Sequence, residues 1–202
     1  MSEYDSTAET LRHSLRVGEL MGQVIRELVE RSVRHDISKT QDPELAVFNE
    51  FTPKLKTSTY GSEEYKGFLE AMGDGLAHHY ASNRHHPEHF PHGVNDMTLA
   101  DLIEMLADWK AAGERHADGS LGRSLQIQRE RFGLSDQLFR ILWNTGEANG
   151  WLPVCGATHI WGMEHWTCNV PLDADGRHDG PHADGNYTPG AEWPTEWAEA
   201  TS

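Results

Sequence analysis

Imidazoles and carboxylates recur along this chain in an order that suits a divalent metal ion. His13 is followed by the doublet His35-Asp36 and then by the dense run His78, His79, His85, His86 and His89. Asp108 comes next, inside an otherwise apolar stretch. Imidazole nitrogen and carboxylate oxygen are the common donors for Zn, Fe, Mn and Co. Nine of the thirteen histidines precede residue 117, in a region without cysteine. Packing does not call for so many imidazoles, so metal binding is the leading chemistry.

The elements that must position these groups read as helices from residue 1 to about 150. Leu11, Leu15, Val17, Leu20, Val24, Ile25 and Leu28 give the first, about 6–34, a helical period. A second starts at Asp42-Pro43-Glu44, with Asp42 as cap and the proline in the first turn. The third is expected from Ser62 to about His86, stopped by Pro87. Thr98 with Asp101 makes a capping-box variant that opens the fourth. The fifth covers about Leu121 to Phe132 and ends at Gly133, and the sixth begins at Ser135 and fades over 146–150. No alternating strand pattern and no internal repeat is visible. The expected fold class is all-α, a helical domain over 1–150.

Within that frame His13 leads Val17, Leu20 and Val24 at helical spacings and belongs on or beside a buried stripe, where it needs a polar partner or a metal. His35-Asp36 falls about six turns later, so the chain must bend near residues 32–38 before the three groups can meet. Asp108 borders the apolar face beside Met105, where a carboxylate is costly unless paired or bound to a cation. Taken singly, each residue has an ordinary reading: His13 a core histidine on a carbonyl, Asp36 a cap, Asp108 an arginine's partner.

Their joint order resembles the HD-domain superfamily of all-helical, metal-dependent phosphohydrolases. The stretches that carry the resemblance are His13-Ser14-Leu15-Arg16-Val17, Arg34-His35-Asp36-Ile37-Ser38-Lys39 and the later helical Asp108. The chain is similar, more closely, to an uncharacterised bacterial and tailed-phage family in that group, through Tyr60 to Tyr65, Asn83 to Phe90 and Met97 to Met105, over about 10–145. The resemblance implies an HD-like helical bundle with His13, His35, Asp36 and Asp108 as ligands of one ion. It also implies a phosphate contact for Lys39.

In a helix reaching His86, His79, Asn83 and His86 share one stripe, and His78, Ser82 and His85 the next. His85-His86-Pro87-Glu88-His89 resembles the His-His-Glu segment of the dinuclear HD branch. That implies a second ion bridged through Asp36, with His79 and His85 or His86 as its ligands. Asn83, Arg84 and His86 have a competing role in binding phosphate oxygens or a base edge, and His89 and His92 fit a solvated loop. Glu44 has two equal readings: a second-shell partner orienting a ligand His, or a first-turn glutamate favoured by the helix dipole.

After Gly150 the composition changes. Residues 151–202 hold five of the seven tryptophans, both cysteines, and one basic residue against eight acidic ones. A small module at 151–187 is expected, followed by a flexible tail at 188–202. His178 and His182 have a spacing common in structural zinc sites, and Cys155 and Cys168 complete the preferred set, with His159 as a rival ligand. So small an irregular segment needs such a staple, and its tryptophans packing without zinc is the other reading.

A net charge of −15 argues against polymeric nucleic acid, which requires clustered Lys and Arg. No run reaches the length of a membrane span, and the N-terminus lacks signal-peptide features, so a cytoplasmic protein is expected, in the host cytoplasm if phage-encoded. The expected function is hydrolysis of a phosphoester or phosphoanhydride, with a nucleotide as substrate. One or two Mn, Fe, Co or Zn ions would serve it, and Lys39 and Arg84 would stabilise charge on phosphoryl oxygens. The rivals are a di-iron HD-fold oxygenase and a non-catalytic, metal-stabilised binding module. A homo-oligomer is compatible with each.

Overall fold

The structure is a computed structural model that describes residues 5–59, 61–115, 119–152, 158–161 and 164–167. Up to Leu152 the described residues form helices and turns, with no strand. The chain divides into two compact units, 1–107 and 108–202.

The first unit opens with α1, Thr7–Arg34, which has Glu9 in its first turn and Arg31 and Arg34 in its last, the charge order that a helix dipole favours. His35 ends it with extended backbone, and Asp36 takes the left-handed conformation at φ 57°. Among residues with a β-carbon, Asp and Asn tolerate that region best. A short 3-10 turn, Ile37–Thr40, follows. α2, Glu44–Thr57, has Pro43 rather than Asp42 at its N-cap position, and the Leu45 N–H bonds back to the Gln41 carbonyl.

The single helix expected over 62–86 is two. Ser62 caps α3, Glu63–Ala71, by accepting from the Tyr65 N–H, and α4 spans Gly73–Ser82. The break comes at Gly73, whose φ of 46° suits a residue without a β-carbon. α4 stops four residues before His86. Asn83 closes it, its backbone N–H and side-chain amide both donating to the His79 carbonyl. Gly75 lets α4 approach α2 closely, since a β-carbon there would meet Val47 at 2.7 Å.

Two short 3-10 turns, Pro87–His89 and Gly93–Asp96, lead to α5, Leu99–Gly113. Its start is the capping box read from the sequence: the Thr98 N–H donates to Asp101 Oδ2 at 2.8 Å, and the Asp101 N–H to Thr98 Oγ1 at 3.2 Å. Met105 and Leu106 on this helix are fully buried, and Phe51, Met72 and Val94 extend the core.

The second unit contains α6, Leu121–Phe132, and α7, Asp136–Ala148. Gly133 ends α6 at φ 59°, and the Ser135 hydroxyl caps α7 by accepting from the Leu138 N–H. Leu121, Leu125, Leu134 and Leu142 are buried, and Trp109 stacks on Phe132. Beyond them β1, Thr158–Trp161, pairs antiparallel with β2, Glu164–Thr167, so that Thr158 faces Thr167 and Trp161 faces Glu164. This hairpin corrects the expectation of a wholly irregular tail. Strands of four residues are too short for alternation to register, although Thr, Ile and Trp favour them. Cys155, Cys168, His178 and His182 lie outside the described residues, as does the 188–202 tail.

Candidate metal centre

The left-handed turn at Asp36 brings its carboxylate back among histidines from three other segments. His35 Nε2 stands 3.5 Å from Asp36 Oδ2, and His79 Nε2 and His85 Nε2 stand 3.4 and 3.5 Å from Oδ1. The rings of His35, His85 and His86 follow one another with centroids 4.4 and 4.0 Å apart. Donor atoms of Asp36, His79, His85 and His86 all lie within 4.8 Å of one another, and such a set can hold a metal ion.

Two glutamates set which ring nitrogen points inward. Glu104 Oε1 faces His35 Nδ1 at 2.9 Å and His85 Nδ1 at 3.3 Å. Glu44, fully buried, faces His78 Nδ1 at 2.8 Å and His79 Nδ1 at 2.9 Å, and accepts from the Ser38 hydroxyl. A carboxylate beside Nδ1 holds the proton there and leaves Nε2 with its lone pair, the arrangement that outer carboxylates impose on metal-binding histidines. Burial raises the Glu104 carboxyl, but bonds from His35, His85 and Arg31 outweigh it and hold the group well below the usual range. Burial likewise opposes ionisation of Glu44, and its bonds from His78, His79 and Ser38 prevail. Both braces are therefore anionic at neutral pH.

The fit to a cation rests on two observations. His85 Nε2 is buried without a hydrogen-bond partner, which is costly in a native interior. His79 Nε2 and His86 Nε2 stand only 2.8 Å apart, and two imidazole nitrogens attract at that distance only with a proton or cation between them. Nitrogens bound to one ion at roughly 2.0–2.1 Å come about 3 Å apart when the bonds are near right angles.

A second ring of charge braces the braces. Arg31 bonds Asp101 at 2.8 Å and Glu104 at 3.1 Å, and Arg84 grips Asp101 with Nε and a terminal nitrogen at 3.2 and 3.0 Å. Asp101 is thus both the cap of α5 and the buried partner of two arginines.

The profile of a family described as a family of unknown function (DUF5662) matches residues 2–147. The chain belongs to this family. No curated protein and no solved structure matches. The matched stretch of this DUF5662 chain holds every residue of the cluster and ends before the Cys/His tail.

Placed in the DUF5662 structure, the sequence-derived residues separate. His35, Asp36, His79, His85 and His86 come together. Asp108 stands one turn after Glu104 on α5, at the first position of the second unit. His13 does not join them. It is exposed near the start of α1, and the straight helix carries it roughly 30 Å from His35 at 1.5 Å per residue. The turn at Asp36 comes after the helix has ended, too late to bring His13 back.

Lys39 is at the site, with Nζ on Asp36 Oδ2 and over the Phe48 ring. Arg84 is engaged elsewhere, by Asp101 and by the ring of Phe90, so it positions α5 rather than offering a free fork for phosphate. His89 bonds the Tyr80 carbonyl, and His92 is exposed beside Asp96. Glu44, read from the sequence in two ways, is fully buried and faces the rings of His78 and His79. Sequence reasoning missed Glu104 and Arg31. The signal available was Glu104 itself, a charged residue between Ile103 and Met105 on an apolar helix, one turn before Asp108.

The cluster sets an acid limit on the metal-free fold. Burial and the neighbouring His85 and His79 imidazoles push His86 down to about 2, and burial with Lys39 lowers His79. Below about pH 6.5 the unfolded chain binds protons that the folded one refuses, so stability falls as pH falls. The slope is roughly 1.4 kcal/mol per pH unit for each such imidazole. Lowered Glu44, Glu104 and Asp101 add stability above the ordinary carboxylate range that is lost on further acidification. Thermal unfolding of chelator-treated protein is expected to show the midpoint dropping steadily below pH 6.5. A midpoint unchanged down to pH 5 would contradict the neutral buried rings.

Proposed function

We propose that this chain is a divalent-metal-dependent phosphohydrolase of the HD type, acting on a small phosphoester or phosphoanhydride, in the first instance a nucleotide. One observation carries the reading: imidazole Nε2 atoms from three segments converge on the Asp36 carboxylate while Glu44 and Glu104 hold their other faces. Carboxylates held behind so many nitrogen lone pairs are what a metal site requires, and a core does not.

His79, His85, His86 and Asp36 would hold the ion, with His35 beside them. A divalent ion there supplies Lewis acidity toward a phosphoryl oxygen and lowers the pKa of coordinated water. Asp36 has one oxygen toward His35 and the other toward His79 and His85, and its charge would offset that of a bound cation. Lys39 is the cation nearest the cluster, about a quarter exposed, and its role is to meet an equatorial phosphoryl oxygen. Glu44 and Glu104 keep the rings in the ligating tautomer. Arg31 and Arg84 fix the helix that carries Glu104.

The test is element-resolved metal content of the full untagged chain, followed by phosphate release from a nucleotide panel with Mn or Co. One or two equivalents of metal and turnover of at least one nucleotide are expected. Failure to retain metal after Mn, Co and Fe reconstitution sinks the reading. Two equivalents of iron with oxygen uptake and no phosphate release would move the chain to the oxygenase class, for which the His-rich donor set is equally suited.

A further inference from the structure

α1 is amphipathic, yet only Gly22, Leu28 and Arg31 are even half-buried. Arg31 reaches Asp101 and Glu104, and not one of the 28 residues is buried. The apolar arc is open: Leu15 is 70% exposed and Val33 76%, with Leu11, Ile25 and Val29 each more than half exposed. An apolar face this long on a charged protein marks an interface.

The pattern selects the partner. Leu11, Leu15, Gly18, Gly22, Ile25 and Val29 follow at alternating steps of four and three, the seam of a helix pair. Around Gly22 the seam is nearly symmetric, broken only where Gly18, four residues before, answers to Ile25, three after. Leu11 and Val33 lie eleven residues either side, and Leu15 and Val29 seven. Two copies laid antiparallel with Gly22 at the twofold therefore match apolar residue to apolar residue. On one flank Glu19 of each copy falls beside Arg26 of the other, in reciprocal charge pairs.

Gly18 and Gly22 explain themselves in the same arrangement. A glycine inside a helix costs roughly 0.5–1 kcal/mol relative to alanine, and its usual return is close backbone approach. Among the described residues nothing crowds either position: a β-carbon at Gly18 meets no atom within 4 Å, and at Gly22 only the tip of Arg26, at 3.7 Å. The open apolar side chains on and beside that seam, Leu11, Leu15, Met21, Ile25, Val29 and Val33, offer roughly 600 Å² per chain at about 100 Å² apiece, a small but usable interface.

We infer that the apolar face of α1 is a homodimer interface in which two copies of this helix pair antiparallel about Gly22. The partner is a second copy of this chain because the face complements itself in steric pattern and in charge.

Analytical ultracentrifugation of the full chain tests it. The wild type is expected to sediment as a dimer at micromolar concentration. Gly22→Leu is expected to sediment as a monomer with undiminished helicity, since leucine is the better helix former and meets no obstacle among the described residues. Its metal content is expected to be unchanged. Glu19→Arg and Arg26→Glu are each expected to weaken dimerisation about tenfold, and the two together to restore it. A monomeric wild type overturns the inference, as does a dimer that Gly22→Leu leaves intact. Charge reversals that do not rescue one another overturn the antiparallel register.

Discussion

Asp36→Asn is expected to reduce metal affinity by more than the roughly 100-fold that losing an outer partner costs, because it removes the carboxylate that all the inward nitrogens share. Asparagine is the informative replacement. Residue 36 sits at φ 57°, a conformation that Asp and Asn accept and that costs most other residues roughly 1–2 kcal/mol. Asp36→Ala would therefore mix strain into the readout, while Asp36→Asn keeps shape and turn and removes the charge. Isothermal titration with Mn or Co on chelator-treated protein gives the affinity, and circular dichroism gives the fold. Near-wild-type affinity in a folded variant would show that the histidines bind without Asp36, and the shared-carboxylate site would fall.

Glu104→Ala is expected to act on both stability and binding. Glu104 accepts from His35, His85 and Arg31 from a position only 13% exposed. Its loss takes an acceptor from the His35 and His85 rings and from Arg31, and truncating one partner of a largely buried charged network costs about 2–4 kcal/mol. Without the carboxylate, its negative charge no longer favours the proton on Nδ1 of His35 and His85. Metal affinity is then expected to fall by roughly 10–100-fold. Glu104→Gln, which keeps one acceptor oxygen, is expected to recover most of the stability and only part of the affinity. Chelator-treated thermal unfolding separates the first effect from the second, which metal titration reads. If alanine changes neither, Glu104 is a bystander and the tautomer argument fails.

Local signals were legible where a few neighbouring residues decide the outcome. The Thr98–Asp101 capping box, the Ser62 and Ser135 caps and the Gly133 terminus stand where sequence reading puts them, because each is a bond or a φ angle within one turn of chain. The helix expected to run through to His86 fails for a subtler reason. Gly73 breaks it by taking a positive φ of 46°, and Asn83 closes α4 by bonding back to the His79 carbonyl, conformations that a helical pattern in the sequence does not announce. His79 and His86 meet, but on a helix and an extended segment rather than on one helical stripe.

The amino-acid sequence by itself determined the helical class up to about residue 150, the positions of most helix ends, and the donor chemistry of the His/Asp cluster. Those depend on residue type and short spacing. Only the tertiary structure decided which donors meet. A helix is rigid along its axis, so α1 carries His13 away from His35, whereas the turn at Asp36 folds one carboxylate among rings from distant segments. It also decided that Glu44 and Glu104 orient the rings and that Arg84 serves Asp101. Periodicity shows that α1 has an apolar face but cannot say what covers it, because burial belongs to the partner surface as much as to the helix.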